Sequence, residues 1–425
     1  MNYQTYPKDI LLEMLNEFRN EYRKIQAENL SLNMSRGKPG EEQLSLSMDM
    51  LSVLKTREDL ISEDGTDCRN YGLMEGIIEA RRLIADLTQV SPENVFIGGN
   101  ASLNLMYNMI SNAWIYGILG EKPWSQQGKI KFLCPVPGYD RHFRILETLG
   151  IEMISISMDQ NGPDMDLVEQ YVNQDPSVKG IWCVPKYSNP DGYSYSDETV
   201  RRFADLSPAA KDFRIFWDNA YILHHLDFQD KDEILNIYEE CLKTHKEDMV
   251  YEFVSTSKVV FPGNGICALI ASENNIRSFK ALMNAQMINF DKVNQMRHVR
   301  YFKDLTGLTQ HMEKHAAILK PRFDACFAAF QELENKGLAT FTRPKGGYFI
   351  SLYVLEGCAK RTVSLCKEAG VVLTGAGAAY PYGIDPKDSH IRIAPTYPSS
   401  EDLKKACEVL VLCCKIAALE KLTKD

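Results

Sequence analysis

The fold class follows most directly from nine residues, Val250-Tyr251-Glu252-Phe253-Val254-Ser255-Thr256-Ser257-Lys258. The apolar and β-branched first half predicts a buried strand, and the hydroxyl-rich second half places a lysine just beyond the end of that strand. A lysine that is desolvated there loses its proton more easily, which makes it a nucleophile near neutral pH. Ser255, Ser257 and Lys258 therefore mark a candidate catalytic site at a strand end.

A second strand end supplies the groups that would complete such a site. Phe213-Arg214-Ile215-Phe216-Trp217 predicts a buried strand, and Asp218-Asn219-Ala220-Tyr221 follows it directly. An aspartate can keep a pyridine nitrogen protonated, a tyrosine can stabilise a ring oxygen, and a lysine can form a Schiff base with an aldehyde. Lys258, Asp218 and Tyr221 together predict the catalytic residues of a pyridoxal phosphate site. Lys186 and Lys345 are competing lysines, but neither follows a serine-rich approach.

A phosphate site is expected where Val95-Phe96-Ile97 passes through two glycines into an apolar helix. Free amides at the start of a helix bind anions, and small residues let the backbone approach closely. The predicted cofactor-binding residues here are Gly99, Asn100, Ala101 and Ser102, assisted by Ser255 and Ser257. A dinucleotide site is disfavoured because the Gly-x-Gly-x-x-Gly spacing is missing.

The order of elements predicts an α/β fold. Short apolar runs alternate with helical segments from about Met48 to Lys292, which is typical of a mostly parallel, helix-covered sheet with ligands at its carboxyl edge. Helices are expected from Lys8 to Asn29 and around Phe302 to Asn335. The predicted domains are an N-terminal arm with a small-domain segment, a large cofactor domain and a small α+β domain, at residues 1–47, 48–300 and 301–425.

The chain resembles the class I/II aminotransferases of pyridoxal phosphate fold type I, closest to the aspartate aminotransferase subgroup related to the aminotransferase domain of MocR-type regulators. Motifs that carry the resemblance lie in the family's order along nearly the whole chain. They are Ser35-Arg36-Gly37-Lys38-Pro39, Arg69-Asn70-Tyr71-Gly72, Gly99-Asn100-Ala101-Ser102, Pro137-Gly138-Tyr139-Asp140, Tyr187-Ser188-Asn189-Pro190, Asp218-Asn219-Ala220-Tyr221, Ser255-Thr256-Ser257-Lys258, Lys345-Gly346-Gly347-Tyr348-Phe349 and His390-Ile391-Arg392-Ile393-Ala394. The resemblance implies a large domain with a sheet of the seven-stranded type.

The resemblance also implies roles for single residues. Tyr139 would stack on the cofactor ring, and Asn189 would bind the ring oxygen together with Tyr221. Arg392 would bind the α-carboxylate of the substrate. Tyr71 would reach the phosphate of a neighbouring subunit, which implies a homodimer with shared sites.

The N-terminal segment is expected to close over the substrate, and the predicted substrate-binding residues are Arg392, Gly37, Asn189 and Arg36. Arg36 or Lys38 could meet a distal carboxylate. The implied reaction is transamination between aspartate and 2-oxoglutarate, that is, between an amino acid and a 2-oxo acid.

The phosphate site departs from the family pattern in one respect, and the reaction class has alternatives. Val259 to Gly265 contains no arginine to neutralise the phosphate, and Asn264 could supply a neutral hydrogen bond instead. The catalytic residues also fit transamination of another amino acid, or a lyase or decarboxylase of the same fold. A ligand sensor like the aminotransferase domain of MocR regulators is a further alternative, although those regulators carry an N-terminal DNA-binding domain.

Composition sets broader limits. A net charge of −9, without a long basic run, disfavours nucleic acid as a partner. The 11 cysteines are scattered and lack metal-ligand spacing, so free buried thiols are expected and metal binding is not. The sequence shows neither a signal peptide nor a stretch of ~20 apolar residues, which predicts a cytoplasmic protein without membrane contact.

Overall fold

The computed structural model describes residues 2–424. Its α-helices are α1 Lys8–Ala27, α2 Glu41–Ser45, α3 Ile78–Thr88, α4 Ser102–Tyr116, α5 Asp140–Thr148, α6 Met165–Gln174, α7 Asp197–Asp205, α8 Ile237–Lys243, α9 Glu273–Met283, α10 Lys292–Phe302, α11 Leu305–Asn335, α12 Ala359–Glu368 and α13 Ser400–Leu422. The first helix ends two residues earlier than predicted, and Asn29 beyond it has a left-handed backbone with φ of 51°. The long helix begins three residues later than predicted, because Lys303 has φ of 68° and separates α10 from α11.

The strands are β1 Leu32–Asn33, β2 Val95–Ile97, β3 Lys131–Val136, β4 Glu152–Asp159, β5 Gly162–Pro163, β6 Val178–Cys183, β7 Arg214–Asp218, β8 Val250–Ser255, β9 Cys267–Ile270, β10 Ala339–Phe341, β11 Ile350–Val354, β12 Val371–Val372 and β13 His390–Ile393. Eight of them form the main sheet in the order β2-β9-β8-β7-β6-β3-β4-β5. Strands β9 and β5 run against the other six. The sheet is therefore mostly parallel, as predicted, and the two-residue β5 adds an eighth strand to the expected seven.

Both faces of the main sheet are covered, which explains why its strands are apolar throughout. Phe132, Trp182 and Phe216 pack on one face, whereas Ile181 and Trp217 pack on the other. Alternation along β7 thus directs Asp218 to the first face and Trp217 to the second. The carboxyl ends of β6, β7 and β8 meet at one edge, and this edge carries the functional side chains.

The C-terminal part of the chain builds a second, smaller sheet with the antiparallel order β10-β11-β13. Helix α11 packs beside it, α13 packs against α11, and α1 lies against α13. Strand β1 pairs with β12, so the N-terminal segment joins this part of the molecule. These features agree with a smaller α+β unit completed by the N-terminus, while the boundaries at residues 47/48 and 300/301 stay a prediction.

Within residues 2–424, no helix is both long enough and apolar enough to span a membrane.

Candidate active site

Lys258 lies in the turn after β8, as the hydroxyl-rich sequence predicted. Its Nζ is 4.8 Å from the centre of the Tyr221 ring. Burial lowers the pKa of Lys258, and the nearby Asp218 carboxylate partly opposes that effect. The side chain therefore has the partly desolvated surroundings that a nucleophilic lysine needs.

Asp218 is at the end of β7, and its side chain is only 4% exposed. His142 on α5 approaches one carboxylate oxygen, with 2.9 Å between Nε2 and Oδ2. The other oxygen, Oδ1, is buried without any hydrogen-bond partner. A buried carboxylate oxygen is costly to leave unpaired, so Asp218 Oδ1 is available to a donor that lies in the site.

His142 is held in place by Trp182 of β6. Their rings stack with centroids 4.2 Å apart and planes inclined by 10°. His142 was not predicted from the sequence, because its contact with Asp218 joins residues 76 positions apart. The one local feature that could have indicated it is a histidine on the apolar side of a helix that follows a predicted strand.

Tyr139 and Tyr221 both lie close enough to Asp218 for its charge to act on their phenols. Burial, followed by the negative charge of Asp218, raises the pKa of Tyr139 to about 12. Burial likewise raises the pKa of Tyr221 well above its usual value. Both phenols are therefore protonated at neutral pH and can donate hydrogen bonds. The Tyr139 ring also meets His142 edge-on at 4.9 Å between centroids.

The predicted anion site forms where β2 leads into α4. Ala101 is the N-cap residue and offers no side-chain cap, so the first-turn amides of α4 lack a side-chain partner. The Ser257 hydroxyl donates to the Asn100 carbonyl over 2.6 Å, and the Ser255 and Ser257 hydroxyl oxygens are 2.6 Å apart. Gly99, Asn100, Ala101, Ser102, Ser255 and Ser257 are thus brought together. None of these groups is a cation.

Arg392 projects from β13 toward the same edge and is 8% exposed. Its Nη1 contacts Asp140 Oδ1 at 2.9 Å and Asn189 Oδ1 at 3.4 Å. Arg392 Nε is buried without a partner, so the guanidinium keeps unused donor capacity. The small C-terminal sheet therefore brings a cation to the edge of the main sheet, and the contact of Arg392 with Asp140 was not predicted from the sequence.

The N-terminal segment packs on the Phe349 ring, and this ring in turn covers the Arg392 guanidinium. A side chain at Gly37 would collide with Phe349, and the Arg392 guanidinium is 5.0 Å from the centre of the Phe349 ring. Glycine is required here for close approach rather than for a turn. Arg36 is exposed, while Lys38 Nζ lies over the Tyr397 ring at 3.8 Å.

Tyr71 is separate from the other predicted residues. Its side chain is 77% exposed, and the neighbouring backbone is fixed by Lys292, whose Nζ donates to the carbonyls of Asn70 and Gly72 at 2.7 Å each. The segment is anchored, yet the phenol points to solvent. The Tyr71 hydroxyl makes no hydrogen bond with residues 2–424.

The competing lysines lie elsewhere. Lys345 is an exposed residue that pairs with Asp230 at 2.5 Å. Lys186 is buried in a cavity on the second face of the main sheet, opposite Asp218. Lys258 is thus the lysine that shares a face with Asp218 and Tyr221.

Comparisons with known proteins agree with this geometry. The family model described as aspartate amino-transferase matches residues 7–425. The aspartate aminotransferase of Corynebacterium glutamicum is 41% identical over 408 residues, covering 95% of this chain and 93% of the relative. A solved aspartate transaminase from Corynebacterium glutamicum superposes with a TM-score of 0.96 at 39% identity, covering 99% of each chain.

A more distant relative is a helix-turn-helix type transcriptional regulator of Bacillus subtilis, 26% identical over 67% of this chain and 62% of its own length. The resemblance to both groups is therefore confirmed. On the full-length match to the family model and the 41% identity, the chain belongs to the aspartate aminotransferase family and is an aminotransferase.

Proposed function

We propose that this protein uses pyridoxal phosphate, bound between Lys258 and Asp218, to transfer the amino group of L-aspartate to 2-oxoglutarate. The observation that carries the proposal is the buried, unpartnered Oδ1 of Asp218, on the same face of the sheet as Lys258. A protonated pyridine nitrogen is the donor that this oxygen lacks. The family implies this cofactor, and the relative named aspartate aminotransferase supports aspartate as the substrate.

Bound pyridoxal phosphate supplies an aldehyde that accepts the amino group and a ring that withdraws electrons from the substrate's α-carbon. Among the protein's own groups, Asp218 would hold a proton on the ring nitrogen. His142 orients this carboxylate, and the stacked Trp182 fixes His142. Because the pair is buried, the charge of Asp218 acts through a low dielectric.

Lys258 moves the proton. Its lowered pKa leaves a larger fraction of neutral amine at neutral pH, and the neutral amine can take a proton from the substrate's α-carbon. Tyr221 lies directly beneath Lys258 Nζ and, being protonated, can donate a hydrogen bond to the ring oxygen. Asn189 can donate to the same oxygen, since its amide nitrogen makes no hydrogen bond with the described residues.

Arg392 binds the α-carboxylate in this proposal. Its contact with Asp140 involves only Nη1, so a carboxylate can use the other guanidinium donors. Phe349 covers one side of the guanidinium, and Gly37 allows the N-terminal segment to lie on that ring. Arg36 and Arg141 are exposed arginines without an ion pair among the described residues, and the Arg141 charge acts on Tyr139. Either can meet the distal carboxylate.

The phosphate is held by neutral donors. The backbone amides of Gly99, Asn100, Ala101 and Ser102 at the start of α4 would donate to it, and the Ser255 and Ser257 hydroxyls would do so after exchanging their present bonds to each other and to the Asn100 carbonyl. Tyr71, exposed on its anchored segment, adds a phenol in a second copy of the chain. A homodimer with shared sites follows from this assignment.

The central test is the half-reaction with L-aspartate. The purified protein with pyridoxal phosphate should lose the absorption band of the lysine-bound cofactor and release one oxaloacetate per site, and 2-oxoglutarate should restore the band. Pyruvate or ammonia without an acceptor would indicate a lyase, and β- or α-alanine would indicate a decarboxylase. Arg36→Ala and Arg141→Ala, assayed with aspartate and alanine, identify the distal-carboxylate residue by a loss confined to aspartate.

Shared sites can be tested by mixing two variants that we expect to have lost activity, Lys258→Ala and Tyr71→Ala. A mixed dimer with shared sites has one site in which Lys258 and the partner's tyrosine are both intact, so mixing should restore activity. Activity no greater than the sum of the separate variants would contradict the shared site. Light scattering on the same samples gives the oligomeric state.

A further inference from the structure

A polar cavity lies on the second face of the main sheet, behind the candidate active site. Its volume is about 250 Å³, and its wall includes Trp217 of β7, Asn219 just beyond that strand and Glu252 within β8. Trp217 pairs in register with Glu252, whereas Asp218 pairs with Phe253, so the two sites lie on opposite faces of the same two strands. The cavity is therefore distinct from the site of Lys258.

Lys186 is the buried cation of this cavity, and its Nζ lies 5.7 Å from the centre of the Tyr187 ring. It is 4% exposed, and its Nζ forms no ion pair or hydrogen bond with residues 2–424. Burial lowers the pKa of Lys186 to about 8, which leaves the amine largely charged at neutral pH. A buried charge without a partner is strongly unfavourable. This one persists in a cavity with room for an anion.

The other polar groups of the wall are an unpaired amide oxygen and a carboxyl group, so the charge of an anion can be bound at Lys186 but not at these two groups, which favours an organic carboxylate over a compact inorganic ion. Asn219 donates to Glu252 Oε1 at 2.8 Å, and its own Oδ1 is buried without a partner. Burial raises the pKa of Glu252 to about 7, so this carboxyl can donate a hydrogen bond when protonated. His225 also lines the cavity, and its Nδ1 meets the Tyr187 hydroxyl at 2.7 Å.

The charged groups around Lys186 are of both signs, because Asp86, Lys231 and Glu233 also line the cavity. Lys231 and Glu233 line the entrance and pair with each other at 2.8 Å, so neither neutralises Lys186 by direct contact.

The size of the cavity restricts the ligand. Since one water occupies ~30 Å³ in the liquid, the cavity has room for about eight non-hydrogen atoms. That is the size of a four-carbon dicarboxylate. A nucleotide or a peptide would not fit.

From these observations we propose that the cavity is a second binding site for a small organic acid, whose carboxylate accepts a hydrogen bond from Lys186 Nζ and whose remaining atoms lie against the Asn219–Glu252 pair. The carboxylate can come from an amino acid or from an acid without an amino group. The site does not depend on the assignment of Lys258, because it uses none of the residues of the candidate active site.

Succinate is the probe, because it carries no amino group and cannot undergo amino transfer. Equilibrium dialysis of radiolabelled succinate should be performed on the holoenzyme and on Lys186→Met, with Lys345→Met as the matched control that removes a lysine outside the cavity. The expected result is one Lys186-dependent succinate per chain, lost in Lys186→Met and kept in Lys345→Met. Equal stoichiometry in Lys186→Met and the holoenzyme overturns the proposal.

Thermal unfolding shows whether Lys186→Met is folded and whether succinate stabilises it. Methionine matches lysine in length and removes the unpaired charge, so Lys186→Met should melt at or above the temperature of the unliganded holoenzyme. Succinate should raise the melting temperature of the holoenzyme more than that of Lys186→Met. Equal shifts in the two proteins also overturn the proposal. Should Lys186→Met not fold, Glu252→Gln provides the second test, and unchanged succinate affinity in that variant counts against the site.

Competition identifies the source of the carboxylate. β-Alanine has a carboxylate and an ammonium group on a short chain, so it should displace the Lys186-dependent succinate if the site accepts amino acids. Displacement by propionate but not by β-alanine supports a site for acids without an amino group. If neither succinate nor either competitor binds at millimolar concentration in a Lys186-dependent manner, the proposal is wrong.

Discussion

Lys258 and Lys186 are two lysines with lowered pKa on opposite faces of one sheet, and their neighbours differ. Lys258 lies over the Tyr221 ring and near Asp218, whose negative charge opposes the effect of burial. The nearest charges acting on Lys186 come from Glu233, Asp232 and Lys231 toward the mouth of its cavity. A lowered lysine pKa therefore does not identify a catalytic lysine by itself. The surrounding acceptors and donors distinguish the two sites.

The largest loss of activity is expected when Lys258 is replaced. Lys258→Ala removes both the covalent attachment and the base that moves the proton, so we expect kcat to fall by at least ~10³-fold. Borohydride followed by peptide mapping should find the cofactor on the Lys258 peptide in the wild type and in Lys186→Met, and nowhere in Lys258→Ala. Cofactor trapped on Lys186 would reverse the assignment of the two faces.

Asp218→Asn should have the next largest effect. The amide cannot hold a proton on the ring nitrogen by charge, and we expect kcat to fall by ~10²- to 10³-fold, as when a preorganised electrostatic partner is lost. Asp230→Asn, which removes the exposed partner of Lys345, is the control and should retain activity. The measurement is the steady-state kcat of both variants. A loss below about threefold in Asp218→Asn would show that the unpartnered Oδ1 has no role in the reaction.

The sequence located the main sheet edge well but not the contacts across it. Buried apolar runs followed by polar residues placed Asp218 and Lys258 at strand ends, because parallel strands end together at one edge. The pairing of Arg392 with Asp140 joins residues 252 positions apart on different parts of the molecule, and no local pattern encodes it.

Lys186 illustrates the same limit on a smaller scale. Lys186 follows β6, a neighbour of β7 in the sheet, and only the packing of the loop after β7 shows that its side chain lies on the face opposite Asp218. The two-residue strand β5 was missed because so short a segment has no periodicity. Which residues follow strands was predictable, whereas the face they occupy depends on tertiary packing.

Arg392→Lys should have an intermediate effect on activity. Lysine keeps the charge but cannot make two parallel hydrogen bonds to a carboxylate. With ~1.5 to 3 kcal/mol lost for a hydrogen bond to a charged group, kcat/KM for aspartate should fall by ~10- to 100-fold. The measurement is steady-state kinetics with aspartate and 2-oxoglutarate. An unchanged kcat/KM would indicate that the Asp140 contact is the sole function of Arg392.

Lys186→Met is expected to change stability in a pH-dependent way. The pKa of Lys186 falls from the usual 10.5 to about 8 on folding, so the stability of the wild type declines as the pH drops toward 8 and is lowest below that value. The advantage of Lys186→Met should therefore be about 2 kcal/mol greater at pH 7 than at pH 9.5. Urea unfolding at the two pH values provides the measurement. The exposed control Lys345→Met should show no such dependence.

Glu252→Gln should show the opposite sign and a smaller effect. Burial raises the pKa of Glu252 from 4.5 to about 7, so its contribution to wild-type stability is complete below pH 4.5 and is lost as the pH rises through 7. The glutamine variant should gain about 1 kcal/mol over the wild type between pH 5 and 6. If Lys186 and Glu252 instead formed an ion pair in solution, each would hold the other charged, and both pH dependences would vanish. Unfolding of the double variant Lys186→Met/Glu252→Gln makes the distinction, because two independently buried groups give additive effects and an ion pair does not.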